Sequence, residues 1–171
     1  MKVRTDFVTN SSSSSYITAR IESPVLADIL RRLKEQFENP PLPEGSEKDQ
    51  AIEDYRYCGL DRFIDIQGPN GSVVCFDTDG GGGLGAPRRI EDLGAAVHDA
   101  LLTYTDGDCR WDLAESVSDE LIDRSEEIAD STTRVTWSCG EINWGEFGDE
   151  SQSEGFEFNR ATGESSFSES C

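Results

Sequence analysis

A change of hydrophobic period between Tyr16 and Phe37 constrains this chain more than any other feature. Ile17, Ala19 and Ile21 alternate with Thr18, Arg20 and Glu22, the period of two that gives a half-buried strand. Ser23-Pro24 then supplies a helix cap and a first-turn proline. Val25, Leu26, Ile29, Leu30, Leu33 and Phe37 recur at helical spacing, which predicts an amphipathic helix. Asn39-Pro40-Pro41 ends it, because a residue before proline is pushed out of the helical region of backbone space. A strand and a one-sided helix, adjacent in the chain, each need a partner for their apolar face, and together they point to a sheet-and-helix core.

The same reading carries along the rest of the chain. Residues 39–50 read as a loop rich in proline and charge, and residues 51–61 show no decisive period. Phe63, Ile64 and Ile66 read as a strand, Gly68-Pro69-Asn70-Gly71 as a turn, and Val73 to Phe76 as a more buried strand, together a hairpin. Cys75, inside that apolar run, reads as core. Ile90, Leu93, Val97, Leu101 and Tyr104 predict a second helix, broken by Asp106-Gly107-Asp108. Leu113, Val117, Leu121 and Ile128 predict a third with an acidic outer face. From Thr132 the pattern returns to period two: Val135, Trp137 and Cys139 alternate, Ile142, Trp144 and Phe147 follow, and Phe156 and Phe158 lead through Ala161-Thr162-Gly163 to Phe167 as a closing hairpin. The predicted fold is α+β, with an antiparallel or mixed sheet, about three helices and the order β-α-β-β-α-α-β-β-β. It forms one domain over residues 16–171, preceded by a polar leader at 1–15.

Charge sets limits on partners. Of 171 residues, 35 are acidic and 15 basic, a net of −20 at pH 7. The imbalance is concentrated in residues 106–171, with 18 acidic and 4 basic residues. Such a field repels the phosphates of nucleic acids and anionic membranes and favours a basic protein or a cation. The cysteines, 5 in number and including Cys109 and Cys171, are scattered and form no CxxC pair, and His98 is the single histidine. Zinc-type ligation is therefore disfavoured, and reduced thiols in a cytoplasmic protein are expected. No apolar segment follows Met1-Lys2-Val3-Arg4 as a secretory signal would require, and no run approaches the ~18 apolar residues of a membrane span.

The segment from Arg4 through Thr5, Asp6, Phe7, Val8, Thr9, Asn10 and Ser11 to Ser15, then Tyr16 and Ile17, resembles the opening of a group of uncharacterised bacterial proteins that begin with the stretch from Phe7 to Ser15, an aromatic residue and isoleucine. The resemblance covers about a tenth of the chain. It implies a bacterial origin and no particular activity. On its own residues, a serine run buries no core and reads as a flexible leader.

The densest candidate for chemistry is Asp77-Thr78-Asp79-Gly80-Gly81-Gly82-Gly83-Leu84-Gly85-Ala86-Pro87. Gly80, Gly82 and Gly85 satisfy a dinucleotide-binding spacing, but the next helix begins only beyond Pro87 and the element order is not βαβ. Cys75 to Gly80 resembles the nucleophile motif of haloacid-dehalogenase-type phosphatases. That resemblance would make Asp77 the nucleophile and Asp79 the acid/base, with magnesium between them. Gly81 departs from the motif, and no lysine lies downstream to neutralise an aspartyl-phosphate. Asp77 and Asp79 could also begin a divalent-cation loop, although Arg88 stands where an EF-hand requires glutamate. Apart from this cation, no cofactor is indicated. His98 reads as a residue at the edge of the core, and Trp111, Trp137 and Trp144 as core or interface anchors. Asp119, Glu120, Asp123, Glu126, Glu127 and Asp130 form a candidate partner-binding face on the third helix. The expected function is a non-enzymatic module that binds a basic protein partner, as inhibitors, immunity-type proteins and DNA mimics do. The alternative is a small metal-dependent, phosphate-handling enzyme using Asp77 and Asp79.

Overall fold

The computed structural model describes residues 12–58, 63–79, 85–105, 119–145 and 148–170. The chain begins with strand β1 (Ser12–Glu22), so the last four residues of the expected leader are strand, paired from Ser12↔Trp144 onward with β4. Residues 4–11 of the N-terminal string lie outside the described residues. Helix α1 (Pro24–Glu38) follows. The Ser23 hydroxyl accepts from the Leu26 N–H, Pro24 occupies the first turn, and the helix stops before Asn39 and Pro40. Its Leu26, Ala27, Ile29, Leu30, Leu33 and Phe37 are all buried, the stripe that the spacing predicts.

Helix α2 (Ser46–Cys58) is an addition to the predicted order. It buries only Ala51 and Tyr55 among its described side chains, too few to stand out as a period. What holds it is the Tyr55 ring stacked on Phe37 at a centroid distance of 5.2 Å. Strand β2 (Ile64–Gln67) and strand β3 (Val73–Asp79) form the expected hairpin. Gly68 (φ 85°) and Gly71 (φ 58°) take backbone angles that suit glycine, and Asn70 joins them at 67°. Helix α3 (Leu93–Thr105) follows a short 3₁₀ turn at Ile90–Asp92. A helical segment at 119–123 runs into helix α4 (Ser125–Ser131). The chain closes with strands β4 (Arg134–Gly145), β5 (Gly148–Asn159) and β6 (Glu164–Ser170). Trp111, Leu113, Val117 and Phe147 lie outside the described residues.

The six strands form one sheet in the order β2-β3-β1-β4-β5-β6, antiparallel at every junction. The fold is α+β, as the periodicities predict. Register fixes what each face carries. Ile21↔Val74 and Ala19↔Phe76 pair across β1 and β3, while Ala19↔Trp137 and Ile17↔Cys139 pair across β1 and β4. These residues share the helix-covered face and all are buried. Phe76 stacks on Phe63 at 5.1 Å and meets Trp137 edge-on at 6.2 Å.

The other face is polar. It presents exposed Thr18, Arg20, Asp77, Thr136, Ser138 and Glu157, and no described helix covers it. The same register corrects the placement of Cys75. It pairs with Arg20 and Asp65 on the open face and is half-buried, because alternation inside Val73 to Phe76 sends only Val74 and Phe76 inward. Of the two thiols described, Cys139 is the buried one. Tyr16 on the open face lies against Gly140, where an added Cβ would stand 2.8 Å from the ring, a cross-strand aromatic covering a glycine.

Candidate functional site

The acidic segment is positioned by a close approach of two helical elements. Gly94, near the start of α3, leaves no room for a side chain: a Cβ there would collide with the Leu121 carbonyl and lie 3.4 Å from Ser125 Cα and Ile128 Cδ1. This contact lets Leu121 and Ile128 bury fully beside Leu93 and Val97. The backbone runs almost continuously through the segment. The Arg124 N–H donates to the Glu120 carbonyl at 2.9 Å, and the Ile128 N–H to the Arg124 carbonyl at 3.0 Å. Arg124, where the two helical pieces meet, departs from helical angles (φ −104°, ψ 24°).

With Leu121 and Ile128 turned inward, the six predicted carboxylates divide into two sets. Glu120 and Glu127 are engaged internally. Arg32 of α1 donates through both terminal nitrogens to the two carboxylate oxygens of Glu120, each at 2.9 Å, the fork geometry that suits guanidinium. Arg124 donates to Glu120 at 2.8 Å and to Glu127 at 2.9 Å. The hydrogen bonds from Arg32, and then those from Arg124, hold the Glu120 carboxyl below its usual range, with burial acting against them. Arg124 lowers Glu127 in the same way. The carboxylates reciprocate: Glu120 raises Arg32, and Glu127 ahead of Glu120 raises Arg124.

The other four, Asp119, Asp123, Glu126 and Asp130, are exposed and make no ion pair among the described residues. Their spacing of four, three and four places them on one outward stripe of a helical path. Within that stripe stands Ile122, 43% exposed, one of only two large apolar side chains so exposed among the described residues. The stripe is therefore an outward row of negative charge around an aliphatic contact, fixed in place from behind by two arginines.

The second predicted site is laid out differently. Asp77 is exposed on the open face opposite Thr18, and Asp79 stands two positions along β3, paired with Tyr16 of β1. Among the described residues, no group of three histidine, cysteine, aspartate or glutamate side chains converges as a metal would require. Residues 80–84 of the glycine run lie outside the described residues. The run's exit is anchored. One carboxylate oxygen of Glu154, on β5, accepts from the consecutive N–H groups of Gly85 and Ala86, each at 3.0 Å. Arg88 then lies over the Phe167 ring at 4.9 Å. Glu154 pairs with Cys139 across β4 and β5. Burial pushes the Cys139 thiol up, opposed by the Trp137 indole and the Gly85 and Ala86 amides. A buried thiol with a raised pKa is a poor nucleophile. His98 is half-buried beside Asp99, with Nδ1 3.4 Å from the carboxylate.

Sequence reasoning missed Arg124, Arg32, Ile122 and Glu154, which shape these sites. The Glu120–Arg124 and Arg124–Glu127 pairs follow i,i+4 and i,i+3 spacing and were open to reading. Arg32, 88 positions from Glu120, was not. Ile122 and Glu154 carry no local signal of their role. No family model, curated protein or solved structure matches this chain, so its functional reading rests on the geometry described above.

Proposed function

We propose that the chain is a non-enzymatic interaction module that binds a basic protein partner through the stripe of Asp119, Asp123, Glu126 and Asp130. One observation carries this reading. The two arginines beside the stripe are committed to Glu120 and Glu127, which leaves the outward carboxylates without a described counter-charge. Unneutralised charge on a rigid element attracts a complementary surface and speeds its encounter. Ile122 offers that surface an apolar contact beside the carboxylates. Glu120 serves the module by holding the stripe's scaffold to Arg32 of α1, and Glu127 by fixing Arg124 within the same segment. On this reading the protein works in a reducing bacterial cytoplasm.

The test is capture of a partner from native lysate by the whole chain, compared with Asp119→Lys, Asp123→Lys and Glu126→Lys combined. The partner should be basic, and the triple reversal should lose it while keeping the wild-type fold by circular dichroism. Equal capture by both proteins would refute the assignment. The competing reading, a metal-dependent phosphate-handling enzyme, has in its favour an exposed Asp77 on β3 with Asp79 two positions along the same strand. It predicts magnesium-dependent phosphoester hydrolysis that Asp77→Asn abolishes.

A further inference from the structure

The two edges of the sheet are finished in different ways. The β2 edge is blunted: the strand has four residues, runs into Gly68-Pro69, and has its Ile64 carbonyl occupied by Lys34 Nζ at 2.8 Å. Among the described residues the β6 edge is open. It runs for seven residues, and every side chain except that of Phe167 is exposed. The register with β5 occupies one side of it, and from Ser165 to Ser170 no described backbone group pairs with the other. A row of unpaired N–H and C=O groups is a template for another strand.

The chemistry along this edge selects the occupant. Glu164 and Ser166 share the open face with Glu157 of β5, to which Ser166 is paired, and Glu169 lies on the opposite face. Beside the edge is a concavity of about 640 Å³, lined in part by Arg134, Thr136, Glu157, Asn159, Glu164 and Ser166. Arg134, on β4, shares this lining, which therefore sets the two carboxylates of Glu157 and Glu164 against one guanidinium. A second copy of this chain is a poor occupant. Antiparallel pairing of two β6 edges would set Glu164 of one copy opposite or one position from Glu169 of the other, between molecules of charge −20.

We propose that the outer edge of β6 takes up an extended, basic peptide strand of the partner, which adds to the sheet by main-chain hydrogen bonding. Its lysine or arginine side chains on one face lie over Glu157 and Glu164, and on the other face near Glu169. The proposal rests on the reading of this protein as a binder of a basic partner and gives it a second contact, away from the helical stripe. In β-strand addition the backbone supplies affinity, and alternate side chains supply selectivity. Here the selected feature is positive charge on both faces.

The experiment is hydrogen exchange of the whole chain with a short synthetic peptide alternating lysine and valine, and with its glutamate–valine counterpart as control. The lysine peptide should slow exchange of amides within 165–170 and leave 119–131 unchanged, and the control peptide should do neither. The protection should vanish at ~1 M salt, where the Debye length is ~3 Å. Glu164→Lys with Glu169→Lys should abolish it, Glu164→Gln with Glu169→Gln should weaken it, and the triple reversal at Asp119, Asp123 and Glu126 should retain it. Protection confined to 119–131, or protection of β6 that survives the lysine reversal, overturns the edge proposal while leaving the partner reading intact. If no peptide protects any segment while the triple reversal still loses the cellular partner, the edge proposal alone fails.

Discussion

Glu120 shows how much a single residue's role depends on what faces it. Its carboxylate receives both arms of Arg32 and one of Arg124, yet Arg32 is 41% exposed at its side chain, so solvent screens much of the attraction. Glu120→Gln should therefore cost only about 1 kcal/mol at neutral pH, the upper range for partly exposed pairs. The sign of the pH dependence follows from the direction of the shift. A carboxyl held low in the folded state contributes stability above its unfolded pKa of ~4.3 and loses that contribution as pH falls through the lower folded value. Urea denaturation of wild type and Glu120→Gln should differ at pH 7 and converge toward pH 3. A gap that persists undiminished in acid would show that the pair is not the source.

Among the elements, the glycine at the start of α3 decides where the acidic stripe sits. Gly94→Ala would press a methyl group into the Leu121 carbonyl. Overpacking of this kind costs ~1–3 kcal/mol. The expected result is a lowered denaturation midpoint with faster exchange across 119–131, and a wild-type midpoint would mean that the two elements separate at no cost. The exit of the glycine run tests a second anchor. Glu154→Ala should speed exchange at Gly85 and Ala86, whose N–H groups now share one carboxylate, and unchanged rates would remove Glu154 from that role. Most of the architecture was legible because it rests on local patterns. The period change at Ser23, the Gly68–Gly71 turn and the Phe156 to Phe167 hairpin all follow from residues near one another in sequence. Helix α2 was not legible: its contact with Phe37 is tertiary and its own surface is almost all polar. Cys75 was misplaced because an unbroken apolar run hides the alternation that only strand register resolves. At the candidate site the acidic residues were visible, but their division into held and outward sets depends on Arg32, which reaches them only in the folded chain.

At the scale of the whole molecule, the net charge of −20 and the outward stripe make one physical claim: the protein meets its partner through a field as well as a contact. A general negative field would attract any basic surface, whereas a stripe built against α1 gives the attraction a place. The two contributions separate in kinetics. The deciding measurement is the association rate of the captured partner with wild type and with the Asp119→Lys, Asp123→Lys, Glu126→Lys protein, at ~0.1 M and ~1 M salt, where the Debye length shrinks from ~10 Å to ~3 Å. Wild-type association should slow by roughly tenfold or more across that range, and the reversal should be slow already at low salt. Equal rates for the two proteins, with no dependence on salt, would contradict it and reduce the acidity of this chain to a matter of solubility.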